Sequence, residues 1–143
     1  YKTSPDCKSG LFFRTDPQNP SQGGCEGQIA APGLYSEKHV VGSLYDAKEP
    51  SVDAGKPDGE WNSLRVCCEG PHIHAVLNGQ DVLDLSIDDW TTPKQNPDGT
   101  KNKFKTALND LPQTGHIGFQ YHGHEVWIRN VQVTHLTPTN PRK

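Results

Sequence analysis

Three observations predict an all-β domain, a sandwich of two antiparallel sheets. Glycine (14 residues) and proline (12) are plentiful while hydrophobic residues make up only 31%, a balance that suits short strands joined by turns better than packed helices. Residues 61–69, 72–77 and 80–85 are strand-like runs separated by Gly70-Pro71 and Asn78-Gly79. From His116 onward, polar His116, Gly118, Gln120 and His122 alternate with apolar Ile117, Phe119 and Tyr121, so one strand carries an apolar row on one face and a hydrogen-bonding row on the other.

Along the chain, residues 11–15 and 26–29 read as short strands around a polar loop at 16–24, rich in proline, asparagine, serine and glycine. Residues 32–38 look irregular. Residues 42–46 read as a strand, and 47–59, with Pro50 and Pro57, as a second long loop. The three runs that follow form a meander, and Asn78-Gly79 suits a two-residue type I′ hairpin because both positions tolerate positive φ. Period-two alternation places Leu64, Val66 and Cys68 on one face of the first run, Ile73, Ala75 and Leu77 on one face of the second, and Leu83 and Leu85 on one face of the third. Residues 87–113 turn polar, with a weakly helical patch at 101–108. Residues 116–122 and 125–134 read as a hairpin turning near Gly123, and 137–143 as a disordered tail or linker. No internal repeat is visible.

A chain of 143 residues suits one domain, here 1–136, able to bury a core without metals or crosslinks. The net charge of −3 is spread over both signs with no basic run, which argues against a nucleic-acid partner. No apolar stretch approaches the ~20 residues that span a bilayer, so no membrane span is expected. The chain starts at Tyr1 and contains no methionine, so it does not begin at a translation start, and processing or partial coverage is the expected reason. Cys7 and Cys25 bracket a polar excursion that a disulfide would close in an oxidising compartment; the alternative is four free, buried thiols. Cys67 and Cys68 are strand neighbours that point to opposite faces and are not expected to pair.

Several residues have the chemistry of a site. Glu26 and Gln28 share one strand face, next to Arg14 if the neighbouring strand pairs there; a carboxylate can move protons, while amide and guanidinium groups hydrogen-bond sugar hydroxyls in fixed directions. Ordinary polar residues on a solvated edge strand are the alternative. His122, with an unperturbed imidazole pKa of ~6.5, suits proton transfer at neutral pH, and Gln120 shares its face. His124 follows two residues on. His72/His74 and His122/His124 have a spacing that can chelate zinc, provided Glu26 or His116 supplies a third ligand; histidines at hairpin ends are also common surface residues. Arg129 can stabilise an enolate oxygen or pair with a surface acid. Trp61, Trp90 and Trp127 are stacking candidates for a sugar ring as well as core fillers, and Trp90, in a loop, is the best placed of the three.

The runs TGHIGFQYHGHEVWIRN from Thr114, GEWNSLRV from Gly59, LNGQDVLDL from Leu77 and SGLFFR from Ser9 resemble, in order, the bacterial 3-keto-disaccharide hydrolase domain, a concanavalin A-like β-sandwich of the jelly-roll type. The resemblance implies a carbohydrate cleft on a concave sheet, with the E-x-Q pair Glu26 and Gln28 lining it. It also implies cleavage of 3-keto glycosides by elimination and hydration, in a secreted or periplasmic setting, and further strands upstream of SGLFFR. A 3-keto group acidifies the neighbouring C–H, so one base can start the reaction, unlike the paired carboxylates of ordinary glycosidases. The chain departs from the family pattern at Tyr121, where an acid is usual, at Lys8, where asparagine is usual, and at Ala75 and Val76; each change is expected to remove a ligand contact. Two further readings are a non-catalytic glycan-binding module and an assembly subunit, either a homo-oligomer or a sandwich completed by another chain. A divalent metal cofactor is neither required nor excluded.

Overall fold

The computed structural model describes residues 1–136, so the tail expected at 137–143 lies outside the described residues. Its strands are β1 (Lys2–Thr3), β2 (Lys8–Thr15), β3 (Cys25–Ala30), β4 (Leu64–Glu69), β5 (His72–Leu77), β6 (Gln80–Ser86), β7 (His116–Phe119) and β8 (Val126–Trp127). They form three small antiparallel sheets in the orders β3-β2-β7, β4-β5-β6 and β1-β8. Helical structure among the described residues is limited to 3-10 turns at Glu37–His39, Ile87–Asp89 and Leu108–Asp110. The architecture is all-β and consistent with a β-sandwich.

The meander follows the alternation closely. Asn78 and Gly79 both adopt positive φ (52° and 81°), as a type I′ turn requires. Ile73, Ala75, Leu77, Leu83 and Leu85 are buried and meet Phe13 and Cys25 from the other three-stranded sheet in one core with Leu44, Trp90, Phe104 and Leu108. A register shift beside Ala75 and Val76 turns Val82 inward as well, because an extra residue on one strand breaks strict alternation.

Three expectations need correction. The weakly helical patch at 101–108 is irregular chain, because its amide N–H groups are taken by side chains: Lys103 donates to Asp46 Oδ2 (2.6 Å), Phe104 to Asn102 Oδ1 (3.0 Å) and Lys105 to Gln22 Oε1 (3.0 Å). With its donors spent, that stretch has no i→i−4 ladder to build. The C-terminal segments do not form a hairpin: β7 pairs with β2, and β8 pairs with β1. The apolar side chains of β7 are open to solvent, with Ile117 49% and Phe119 42% exposed, since β7 is the outer strand of its sheet.

The third correction concerns the disulfide. Cys7 and Cys25 are free thiols, and the register explains why: Ala31 N–H donates to the Cys7 carbonyl at one end of the β2–β3 hairpin, while Cys25 lies opposite Phe13 at the other. Six strand residues, at about 3.3 Å each, separate those ends by about 20 Å, far beyond the ~7 Å Cα limit for a bridge. Burial and the nearby Cys68 push the Cys25 thiol up to about 12, which makes it unreactive in the folded chain.

Two outcomes follow. Denaturing alkylation without reductant should block all four cysteines, and a Cys7–Cys25 linked peptide in a mass spectrum would refute the register. Leu77→Ala, at a fully buried site, should lower unfolding free energy by about 2–5 kcal/mol in a denaturant titration.

Candidate functional site

β3 is hydrogen-bonded on both edges. β2 lies along one, and along the other the expected strand at 42–46 is reduced to a bridge at Leu44, with Tyr45 N–H to the Glu26 carbonyl (2.8 Å), Gln28 N–H to the Ser43 carbonyl (2.9 Å) and Gly42 N–H to the Gln28 carbonyl (3.0 Å). Cys25, Gly27 and Ile29 take the core side, so alternation sends Glu26 and Gln28 to the opposite face. On β2 their register partners are Phe12 and Gly10. On the far side of β2, Phe12 pairs with Gly118, and Gln120 donates its N–H to the Gly10 carbonyl (2.9 Å). Gln28, Gly10 and Gln120 therefore form one row across three chain segments, with Glu26, Phe12 and Gly118 in the next.

The glycine in that row makes the site. A Cβ on Gly10 would come within 2.1 Å of Glu26 Oε1, so the carboxyl lies in the gap that the missing side chain leaves, between the two glutamines. Glu26 is only 4% exposed. Its Oε1 has no hydrogen-bond partner, and neither do Gln28 Oε1 and Gln120 Oε1. Gln28 donates its amide to the His39 carbonyl (3.1 Å), which fixes its oxygen as a free acceptor. Buried acceptors without donors are costly and uncommon, and a hydroxyl-rich ligand would satisfy all three.

Two cations and a phenol that sequence reasoning did not assign to the site complete it. Lys103 Nζ lies 3.7 Å from Glu26 Oε2 and 4.7 Å from the Tyr45 ring centroid. Lys8 Nζ donates to the Tyr45 hydroxyl (3.3 Å), so the departure from asparagine at Lys8 brings an ammonium to the site. Burial raises the Glu26 pKa; Lys103, then Lys8 and, least, His122 oppose it. Burial lowers the Lys103 pKa against the pull of Glu26 and Asp46. A carboxyl and an amine displaced toward each other are suited to proton transfer.

Of the residues named from sequence, Glu26, Gln28 and Gln120 come together, and the exposed His122 is close enough to bias the charge on Glu26. His124 is exposed on the turn after it. Arg14 does not join them. Its backbone is left-handed (φ 51°) within the irregular register of β2 and β7, and its guanidinium donates to the Gly70 carbonyl (2.6 Å), tying β2 to the β4–β5 turn. Trp90 is no stacking platform: it is buried in the core with its indole N–H on Asn96 Oδ1 (2.8 Å). Arg129 covers Trp61 at 3.7 Å and Lys2 covers Trp127 at 4.5 Å, so these rings serve cation–π contacts beside the β1–β8 pair. His72 and His74 are engaged by Asp84 (2.5 Å) and Asp81 (2.7 Å), and among the described residues no three His, Cys, Asp or Glu side chains converge on a metal position. No helix of the described residues is long and apolar enough to cross a membrane.

The fold is consistent with a β-sandwich that carries a buried carboxyl with an unpartnered oxygen on one sheet face, and sequence comparison supplies the family. Residues 1–134 match the 3-keto-alpha-glucoside-1,2-lyase-like domain, and the chain belongs to that family. It is 33% identical over 100 residues to a 3-keto-disaccharide hydrolase of Bacteroides thetaiotaomicron, an alignment covering 64% of this chain and 34% of that protein, so the chain spans about a third of that relative. A crystal structure from Parabacteroides distasonis, provisionally described as a glycosyl hydrolase, superposes with a TM-score of 0.80 at 32% identity, covering 85% of this chain and 67% of that one. A second structure from the same organism, at 21% identity and a TM-score of 0.51 over 59% of this chain and 46% of that one, shares the fold.

Gly10→Ala tests the seat of the carboxyl. The variant should keep a cooperative unfolding transition, because the obstructed atoms, Oε1, Cδ and Cγ, all belong to the Glu26 side chain and none to backbone, but the Glu26 carboxyl ¹³C resonance should move; an unchanged resonance would mean that the carboxyl lies elsewhere.

Proposed function

We propose that this domain cleaves 3-keto glycosides by elimination followed by hydration. The observation that carries the reading is the buried Glu26 carboxyl, with one oxygen unpartnered and the other beside an ammonium. Glu26 takes the proton from the carbon next to the ketone. The released electron pair forms a double bond to the anomeric carbon, the glycosidic C–O bond breaks, and the leaving oxygen receives a proton from His122. Water then adds across the double bond, so the net change is hydrolysis. Gln28 and Gln120 accept hydrogen bonds from sugar hydroxyls and set the ring's orientation. A single buried carboxylate suits this route, whereas ordinary glycosidases need two, ~5 to 9 Å apart. The family match and the name of the Bacteroides relative support the same substrate class, and the setting we propose is a secreted or periplasmic sugar-degradation route.

Incubation with a 3-keto-disaccharide should release monosaccharide. Glu26→Gln and His122→Ala should each cut kcat/KM by about 10²-fold or more, as expected for lost proton transfer. Turnover of His122→Ala equal to wild type would remove its role. The unpartnered acceptors on Gln28 and Gln120 also suit a module that binds glycans without cleaving them; in that case calorimetry would show binding of intact glycans, with no product from keto sugars.

A further inference from the structure

We propose that Lys103 is a positioning residue for this chemistry: its ammonium holds the Glu26 side chain as a carboxylate in its seat over Gly10, ready to accept a proton. This rests on the reading of Glu26 as the base. Two loops and the core set the position of Lys103. Its backbone N–H donates to Asp46 Oδ2 (2.6 Å) and its carbonyl accepts from Gln22 Nε2 (3.0 Å), while the next residue, Phe104, is buried in the core. Asp46 is itself held by His39 Nε2 (2.9 Å) and donates its own N–H to the Lys38 carbonyl (3.0 Å). With the backbone pinned, the side chain runs over the Tyr45 ring and ends 3.7 Å from Glu26 Oε2.

The arrangement answers a specific difficulty. A carboxyl packed between strands is driven toward its neutral form, in which it cannot accept a proton. The charged and titratable groups facing it are Lys8 from β2, Lys103 from the loop before β7, and His122 beyond β7, and Lys103 opposes neutralisation most strongly. Lys103 in turn faces Glu26, Asp46 and Lys8. Asp46 already accepts from the Lys103 backbone and engages His39, so Glu26 is the acid that Lys103 Nζ approaches within ion-pair distance among the described residues.

Lys103→Met and Lys103→Arg test this with two readouts. In the ¹³C-labelled protein, Lys103→Met should move the Glu26 carboxyl titration midpoint upward by about one pH unit or more, the usual effect of losing an opposite charge at this range. The acid limb of the kcat/KM profile on a 3-keto-disaccharide should move upward by the same amount. The sign follows from the loss of the cation: a more easily protonated carboxyl needs higher pH to act as base. Lys103→Arg should restore both curves to within a few tenths of a unit of wild type. An unmoved carboxyl midpoint in a folded Lys103→Met protein would overturn the proposal, as would an unmoved acid limb. Should no variant, wild type included, turn over the keto sugar, the activity reading fails, and the carboxyl titration still decides what Lys103 does.

Discussion

The constraint on which the site depends is the position of β3. The strand is bonded to β2 on one edge and to the segment around Leu44 on the other, and all six of its residues are buried. A strand enclosed in this way has no solvated side, so whatever alternates away from the apolar core is still removed from water. Two of those residues are a glutamate and a glutamine. Burying a carboxylate costs several kcal/mol unless charge and hydrogen bonds compensate, and the surroundings compensate only in part: an ammonium near one oxygen, nothing on the other. The incomplete compensation leaves capacity for a ligand.

The remaining features of the site follow from that position. Gly10 leaves the volume that the carboxyl occupies, and the residue just after β7, Gln120, adds its side of the row across β2. The long loops, which carry little regular structure, deliver the two groups that β2, β3 and β7 do not provide: Tyr45 beside β3 and Lys103 from the stretch before β7. Side chains hold the loop backbone in place of a ladder: Asp46 and Gln22 accept from the Lys103 and Lys105 N–H groups, and Asn96 donates to the Lys101 carbonyl. Loops held by a scaffold in this way are common carriers of binding groups.

Much of the architecture was legible in local pattern. The three strands of the meander and the type I′ turn at Asn78-Gly79 depend on alternation and on positive φ, both properties of neighbouring residues. The pairing of Glu26 with Gln28 on one face was legible for the same reason. Arg14 and Trp90 were misjudged because their fates depend on distant partners: a left-handed backbone at a register irregularity turned Arg14 toward Gly70, and Asn96 offered a buried acceptor that let the Trp90 indole enter the core. Lys103 carried no motif. The only local hint was its place in a polar loop, which is also the description of an ordinary solvated lysine.

The amino-acid sequence by itself determined an all-β chain, a meander with its turn and inward faces, and the alternation that puts an acid and an amide side by side. Those depend on backbone geometry with a period of two and on steric limits at single residues, both of which act over a few positions. Only the tertiary structure decided that β3 is enclosed on both edges, that the ends of the β2–β3 hairpin keep Cys7 and Cys25 apart, and that Lys103 and Tyr45 reach Glu26. Burial and charge pairing are set by which distant segments share a volume, and no short stretch of sequence encodes its neighbours in space.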